Sequence, residues 1–146
     1  MSTIEEELRL LAAAAKPLQQ ATDEANAAIQ AANAGIAANA PGIEIWLRDR
    51  EGRRLLLSNS DGGYGDCLGI DKVKNAWQVV GRACHVTMVG DDIGAGDFVG
   101  ESYPLAEASR ETRLEAAALL PELIRALTRE CHRLLQISQR AAEKVP

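Results

Sequence analysis

The chain has 146 residues, 47% apolar and 25% charged. That is the size and make-up of one ordinary folded domain, expected to span 1–146 and to bury a core without a disulfide or metal staple. Its net charge is −5, split as −3 over 1–40, −3 over 41–103 and +1 over 104–146, so no segment offers the basic footprint that nucleic acid or an anionic membrane surface would require.

Two features of the composition are unusual. Aromatics make up only 3%, and all five (Trp46, Tyr64, Trp77, Phe98, Tyr103) lie between 46 and 103. Alanine is abundant, with 25 residues, of which 14 fall in the first 40 positions.

The first predicted element is a helix over 3–39. Ser2 with Glu5, or Thr3 with Glu6, provides a capping box, and Glu5, Glu6 and Glu7 sit where the helix dipole favours negative charge. Apolar or small residues recur at Ile4, Leu8, Leu11, Ala15, Leu18, Thr22, Ala25, Ile29, Ala32 and Ile36. Their alternating spacing of four and three is a heptad seam, polar only at Thr22. Pro17 interrupts this run and removes one helix hydrogen bond, at about 3 kcal/mol in a helix interior. A kink or break is therefore expected near Lys16. Asn39-Ala40-Pro41-Gly42 ends the segment.

An antiparallel meander of four to five strands is expected over 43–101. Ile43 to Leu47 opens it, Asp49-Arg50-Glu51-Gly52 turns the chain, and Arg53 to Asn59 returns. Ser58 to Gly65 reads as a polar glycine loop and Cys67 to Val73 as a third strand. Lys74-Asn75 is a turn and Ala76 to Val89 a long fourth strand. Gly90 to Gly96 reads as an acidic turn and Asp97 to Ser102 as a short fifth strand.

The last element is a helix over 104–143, with Ser102 as its cap and Pro104 in its first turn. Its seam runs Ala117, Leu120, Ile124, Leu127, Cys131, Leu134, Ser138, Ala141, widened by Leu119, Leu123 and Leu135 and interrupted by Pro121. The fold class is thus α+β, an antiparallel sheet flanked by long N- and C-terminal helical segments packed on it, on each other, or both.

Continuous helices of these lengths would run about 55 and 60 Å at 1.5 Å per residue. A globule of this size is only about 40 Å across. Either each helix breaks at its proline, or the two pair as an arm that projects from the sheet and offers a dimer surface.

No catalytic constellation stands out. The dipeptides Cys84-His85 and Cys131-His132, with Cys67, are all the cysteines and histidines in the chain. Neighbouring strand residues face opposite ways and neighbouring helix residues diverge by about 100°, so neither dipeptide can close on a metal ion, and no metal or other cofactor is expected. His85-Val86-Thr87 is one half of the paired pattern of two-histidine phosphoesterases, but His132 is followed by Arg133-Leu134 and supplies no second half. Gly94-Ala95-Gly96 lacks the third glycine of a dinucleotide loop, and neither glycine loop has the closing Glu of a calcium loop or the Lys of a phosphate loop. Trp46 and Trp77 read as the core of the sheet, and Arg48, Arg50, Arg53 and Arg54, interleaved with acids, as an exposed hairpin end.

The amino-terminal MSTIEEELRL is acidic where a secretory leader is basic, and three cysteines without short spacing suit reduced thiols. A cytoplasmic protein is expected. The longest charge-free run, Ala25 to Ile43, contains Asn26, Gln30, Asn33 and Asn39 and is too polar for a membrane span.

Two function classes follow. The first is a non-catalytic protein–protein interaction module, a small accessory, regulatory or inhibitor protein that self-associates as a homodimer or binds a protein partner. Its contacts would come from the seams: Leu8, Leu11, Leu18, Ile29, Ile36, Leu120, Ile124, Leu127 and Leu134. The second is a small-molecule binder or weak hydrolase with a site at the acidic glycine loops, built from Asp61, Asp66, Arg82, His85, Asp91 and Asp92.

Overall fold

A computed structural model of the chain, describing residues 3–58 and 63–146, has an α+β fold in which two long helices flank an antiparallel sheet. The order is α1 (Ile4–Asn39), β1 (Ile45–Trp46), β2 (Tyr64–Val73), β3 (Ala76–Val89), β4 (Asp92–Phe98), β5 (Tyr103–Pro104), a 3-10 turn (Leu105–Glu107) and α2 (Arg110–Glu143).

Both helices run through their prolines. α1 is continuous for 36 residues across Pro17, and α2 for 34 residues across Pro121. Each proline is solvent-exposed, and the residue one turn earlier is alanine in both cases, Ala13 and Ala117, whose small side chain leaves space beside the ring. The break expected at Lys16 is therefore absent. Thr3 supplies the cap of α1, its hydroxyl accepting from the Glu6 amide and the Glu6 carboxylate accepting from the Thr3 amide; the alternative cap, Ser2, lies outside the described residues. α2 starts later than expected. Ser109 caps it by accepting from the Thr112 amide, while Pro104 belongs to β5 and the Ser102 hydroxyl donates to Asp71 at 2.7 Å.

The sheet is a meander in the order β1-β2-β3-β4, with β5 also paired to β3. The long β3 shares one edge between two partners: Cys84 to Val89 take β4, and Val80 and Gly81 take β5. Val73 pairs with Ala76, so Lys74 and Asn75 form a two-residue turn, both with positive φ. The expected hairpin at 49–52 is present, closed by the Arg48–Arg54 bridge and by Asp49, which accepts from the Glu51 and Arg53 amides at 3.0 Å; Gly52 takes φ +81° there. Its return arm meets β2 through the Leu56–Cys67 bridge and the Leu57 amide on Asp66, as isolated contacts and not as a strand among the described residues. The expected loop at 58–65 lies partly outside the described residues, and β2 begins at Tyr64, before Cys67. At the other end the turn is only Gly90-Asp91. Val89 pairs with Asp92, so Gly94, Ala95 and Gly96 are strand and not turn.

Apolar residues lie on both faces of the sheet. On the helix side, Leu68, Ile70 and Val79 meet Ile29 and Ile36 of α1 and Leu120, Leu123 and Leu127 of α2. On the other side Trp46, Cys67, Val80 and Cys84 pack with Phe98 and Leu56. Two glycines make these layers close. A Cβ on Gly69 would lie 2.3 Å from the Trp46 ring, and one on Gly81 would lie 2.4 Å from the Tyr103 ring. α1 is pinned to the sheet by Asn33, whose side-chain oxygen accepts from the Val79 amide at 2.8 Å.

The helices run parallel. The Arg113 guanidinium of α2 donates to Asn26 of α1, and further along Ala31 to Asn39 share a groove with Ile124 to Cys131. Residue numbers rise together on both helices. By the 1.5 Å rise, α1 spans about 54 Å and α2 about 51 Å, and they are offset lengthwise. The start of α1 therefore extends past α2 at one end of the pair, and the end of α2 extends past α1 at the other. They do not form a shared arm.

Candidate interaction surface

The seam of α1 changes surroundings at Thr22. From there onward it is covered, with Thr22 5%, Ala25 5%, Ile29 1% and Ile36 3% exposed. Thr22 satisfies its own hydroxyl by donating to the Leu18 carbonyl at 2.8 Å. Before it, at unchanged spacing, Ile4 is 74%, Leu8 55%, Leu11 60% and Leu18 41% exposed, with Leu10 beside them. α2 shows the converse. Ala116, Leu120, Leu123 and Leu127 are buried, and the same stripe continues at Leu134, Ile137 and Ala141, which are exposed, with Leu135 flanking it.

Burying one such Leu or Ile stabilises by about 1.5–3 kcal/mol, so these uncovered stripes carry a large unused driving force. The charges at the two ends differ. The first turn of α1 carries Glu5, Glu6 and Glu7, while Arg140 and Lys144 lie at the end of α2. Arg133 and Arg125 are already paired on their own helix with Glu130 and Glu122. Between the C-terminal half of α1 and α2 lies a mostly apolar groove of 360 Å³, lined by Ala32, Gly35, Ile36, Ile124, Leu127 and Cys131 among others.

The residues expected at an interface thus divide. Ile29, Ile36, Leu120 and Leu127 are buried in the chain's own core, and Ile124 is half-buried against it. Leu8, Leu11, Leu18 and Leu134 remain exposed. Ile137 was not singled out by the sequence reading. Its spacing of ten from Leu127 and three from Leu134 places it on the buried stripe of α2 continued outward, and that spacing was the available signal.

Among the described residues of the second candidate site, Asp66 and His85 share one face of the β2–β3 pair, and Arg82, Asp91 and Asp92 lie apart from them. Asp61 lies outside the described residues. Asp66 pairs across β2–β3 with Ala83, the neighbour of Arg82, so Asp66 and Arg82 face opposite sides of the sheet. Burial, and then Asp66 beside it, push the Tyr103 hydroxyl well above the ordinary tyrosine range. Arg82 donates to the Gly100 carbonyl at 2.8 Å and lies 4.3 Å from the Phe98 ring centre. His85 is exposed, its ring 5.3 Å from that of Tyr64. Asp91 and Asp92 are exposed at the far tip of the β3–β4 hairpin, about 23 Å along the strand from Arg82 at 3.3 Å per residue.

Cys84 and His85 face opposite sides, Cys84 buried and His85 exposed. Cys84 instead lies with its sulfur 3.6 Å from that of Cys67, both free and fully buried. Burial first, then Cys84, push the Cys67 thiol up to about 12, which leaves it protonated and unreactive at neutral pH. Among the described residues no group of three or more His, Cys, Asp or Glu side chains is placed to hold a metal ion. No described helix is long and apolar enough to cross a membrane. Comparison with protein-family models, with curated proteins and with solved structures gave no match.

Proposed function

We infer that this chain is a non-catalytic protein–protein interaction module that works as a homodimer, in the role of a small accessory, regulatory or inhibitor protein of the cytoplasm. One observation carries the reading: two continuous helices each bury half of an apolar stripe in the protomer and leave the other half, at unchanged spacing, in water. Solvent-facing helices ordinarily place polar residues on every uncovered face. An apolar stripe that continues beyond its own core is the mark of a surface another chain covers. The free, buried thiols Cys67 and Cys84 suit a reducing compartment.

Sedimentation equilibrium of the full chain at micromolar concentration tests this. A mass of twice the protomer, falling to one when Leu8 and Leu11 are both changed to Asp, is the expected result. A clean monomer together with no partner bound in cell extract would overturn it.

A further inference from the structure

We propose that two copies close into a two-fold dimer in which the uncovered start of α1 in each copy lies antiparallel along the uncovered end of α2 in the other. This rests on the interaction reading above and adds the occupant and the geometry.

The parallel packing of α1 and α2 sets the symmetry. Each protomer exposes α1 at one end and α2 at the opposite end. A two-fold axis perpendicular to the helices reverses one copy, so each α1 end meets an α2 end. Both stripes are then covered and the assembly is finite. Lengths allow this. The exposed start of α1, residues 4–21, runs about 27 Å, and the exposed end of α2, residues 132–143, runs about 18 Å, so the α2 end is covered over its whole length.

The side chains also match. Placing Leu11 opposite Leu134 of the partner copy brings Leu8 to Ile137 and Ile4 to Ala141 of that copy, because both stripes step by three and then four, and all these residues are exposed. The run Ala12 to Ala15 then passes residues 130–133, at the Cys131 end of the groove, and small side chains allow close approach there.

Charge selects this arrangement over its rivals. Glu5, Glu6 and Glu7 come beside Arg140 and Lys144 of the partner copy, and the positive end of one helix dipole meets the negative end of the other. Pairing α1 with α1 in parallel would bring six glutamates together. Pairing them antiparallel would leave both α2 ends bare.

Disulfide trapping tests the geometry. With Cys131 changed to Ser, three proteins are compared under mild oxidation: Leu8→Cys, Ile137→Cys and the double variant. All these positions are exposed or half-buried, and circular dichroism checks that the fold is kept. In one chain positions 8 and 137 lie about 60 Å apart along the helix pair, so any link between them joins two chains. The expected result is a dimer in solution and a covalent dimer from the double variant alone.

A covalent dimer from Leu8→Cys alone would overturn the proposed pairing and leave the self-association reading standing. Mass that climbs past the dimer with concentration would do the same, by showing an open head-to-tail chain. A monomer at every concentration would overturn both. A second measurement does not depend on new cysteines. Arg140→Glu with Lys144→Glu should weaken dimerisation roughly tenfold or more, and mixing with a Glu5→Lys, Glu6→Lys, Glu7→Lys copy should restore it. Weakening without restoration in the mixture counts against the register.

Discussion

The two halves of α1 carry one stripe in two environments. Ala25, Ile29 and Ile36 are covered by the sheet and α2, while Ile4, Leu8, Leu11 and Leu18 continue the same spacing into water. α2 repeats the contrast in reverse, covered at Leu120 and Leu123 and bare at Leu134 and Ile137. The difference shows what a heptad pattern states. It names the side of a helix that must leave water; it does not name the surface that receives it. The sheet and the neighbouring helix receive one half, and the other half stays in water.

The contrast can be broken most directly in the covered half. Ile29→Ala should lower the unfolding free energy by about 2–5 kcal/mol, since it opens a cavity among fully packed neighbours. The matching change Leu11→Ala, measured in urea at dilution where only protomer is present, should cost about 0.5 kcal/mol or less. Equal losses would show that the two halves are not differently covered.

Alkaline pH probes the covered region alone. Below about pH 8.5 the Cys67 thiol is protonated in both folded and unfolded chains, and nothing changes. Above that the unfolded chain loses its proton, while the folded chain holds it until about 12. Stability should therefore fall as pH rises through this window, by up to about 1.4 kcal/mol per unit. Tyr103, whose hydroxyl is also pushed upward, adds to the fall above about pH 10. Urea unfolding from neutral pH to about pH 10 should show this slope, and Cys67→Ala should flatten it; an unchanged slope in that variant would locate the cause elsewhere.

Pro17→Ala sharpens the comparison within the exposed half. Restoring a backbone hydrogen bond there should slow amide exchange over 4–21 several-fold in the protomer, and should leave 22–39, already held by packing, nearly unchanged. The smallest effect is expected at Arg133→Gln, which removes an exposed pair with Glu130. Thermal unfolding should register a loss of no more than about 0.5 kcal/mol.

Much of the fold was legible because local rules and tertiary packing agreed. Alternation and turn chemistry located β3 and the Lys74-Asn75 turn, and the alternation of strand faces separated Cys84 from His85. The departures occur where local cost and tertiary gain compete. Pro17 and Pro121 argue for breaks, yet each helix continues, with alanine one turn earlier and solvent outside. The glycines at 94 and 96 argue for a loop, yet pairing with β3 extends them as strand, where the Arg54 guanidinium donates to the Gly96 carbonyl. For the candidate surface, the stripe was legible, but its partition into core at Ile29 and surface at Leu11 was not. The separation of Arg82 and Asp92 from Asp66 and His85 was equally hidden, since strand register and hairpin length decide it.

By itself the amino-acid sequence determined the two long helices, the long strand β3 with the turn before it, their apolar faces and the lack of any short-range catalytic or metal-binding motif, because these depend on periods of two and three to four residues and on local turn geometry. Only the tertiary structure decided that α1 and α2 lie parallel and offset lengthwise, because that follows from how the sheet between them returns the chain. The offset turns half of each seam into core and leaves the other half in water.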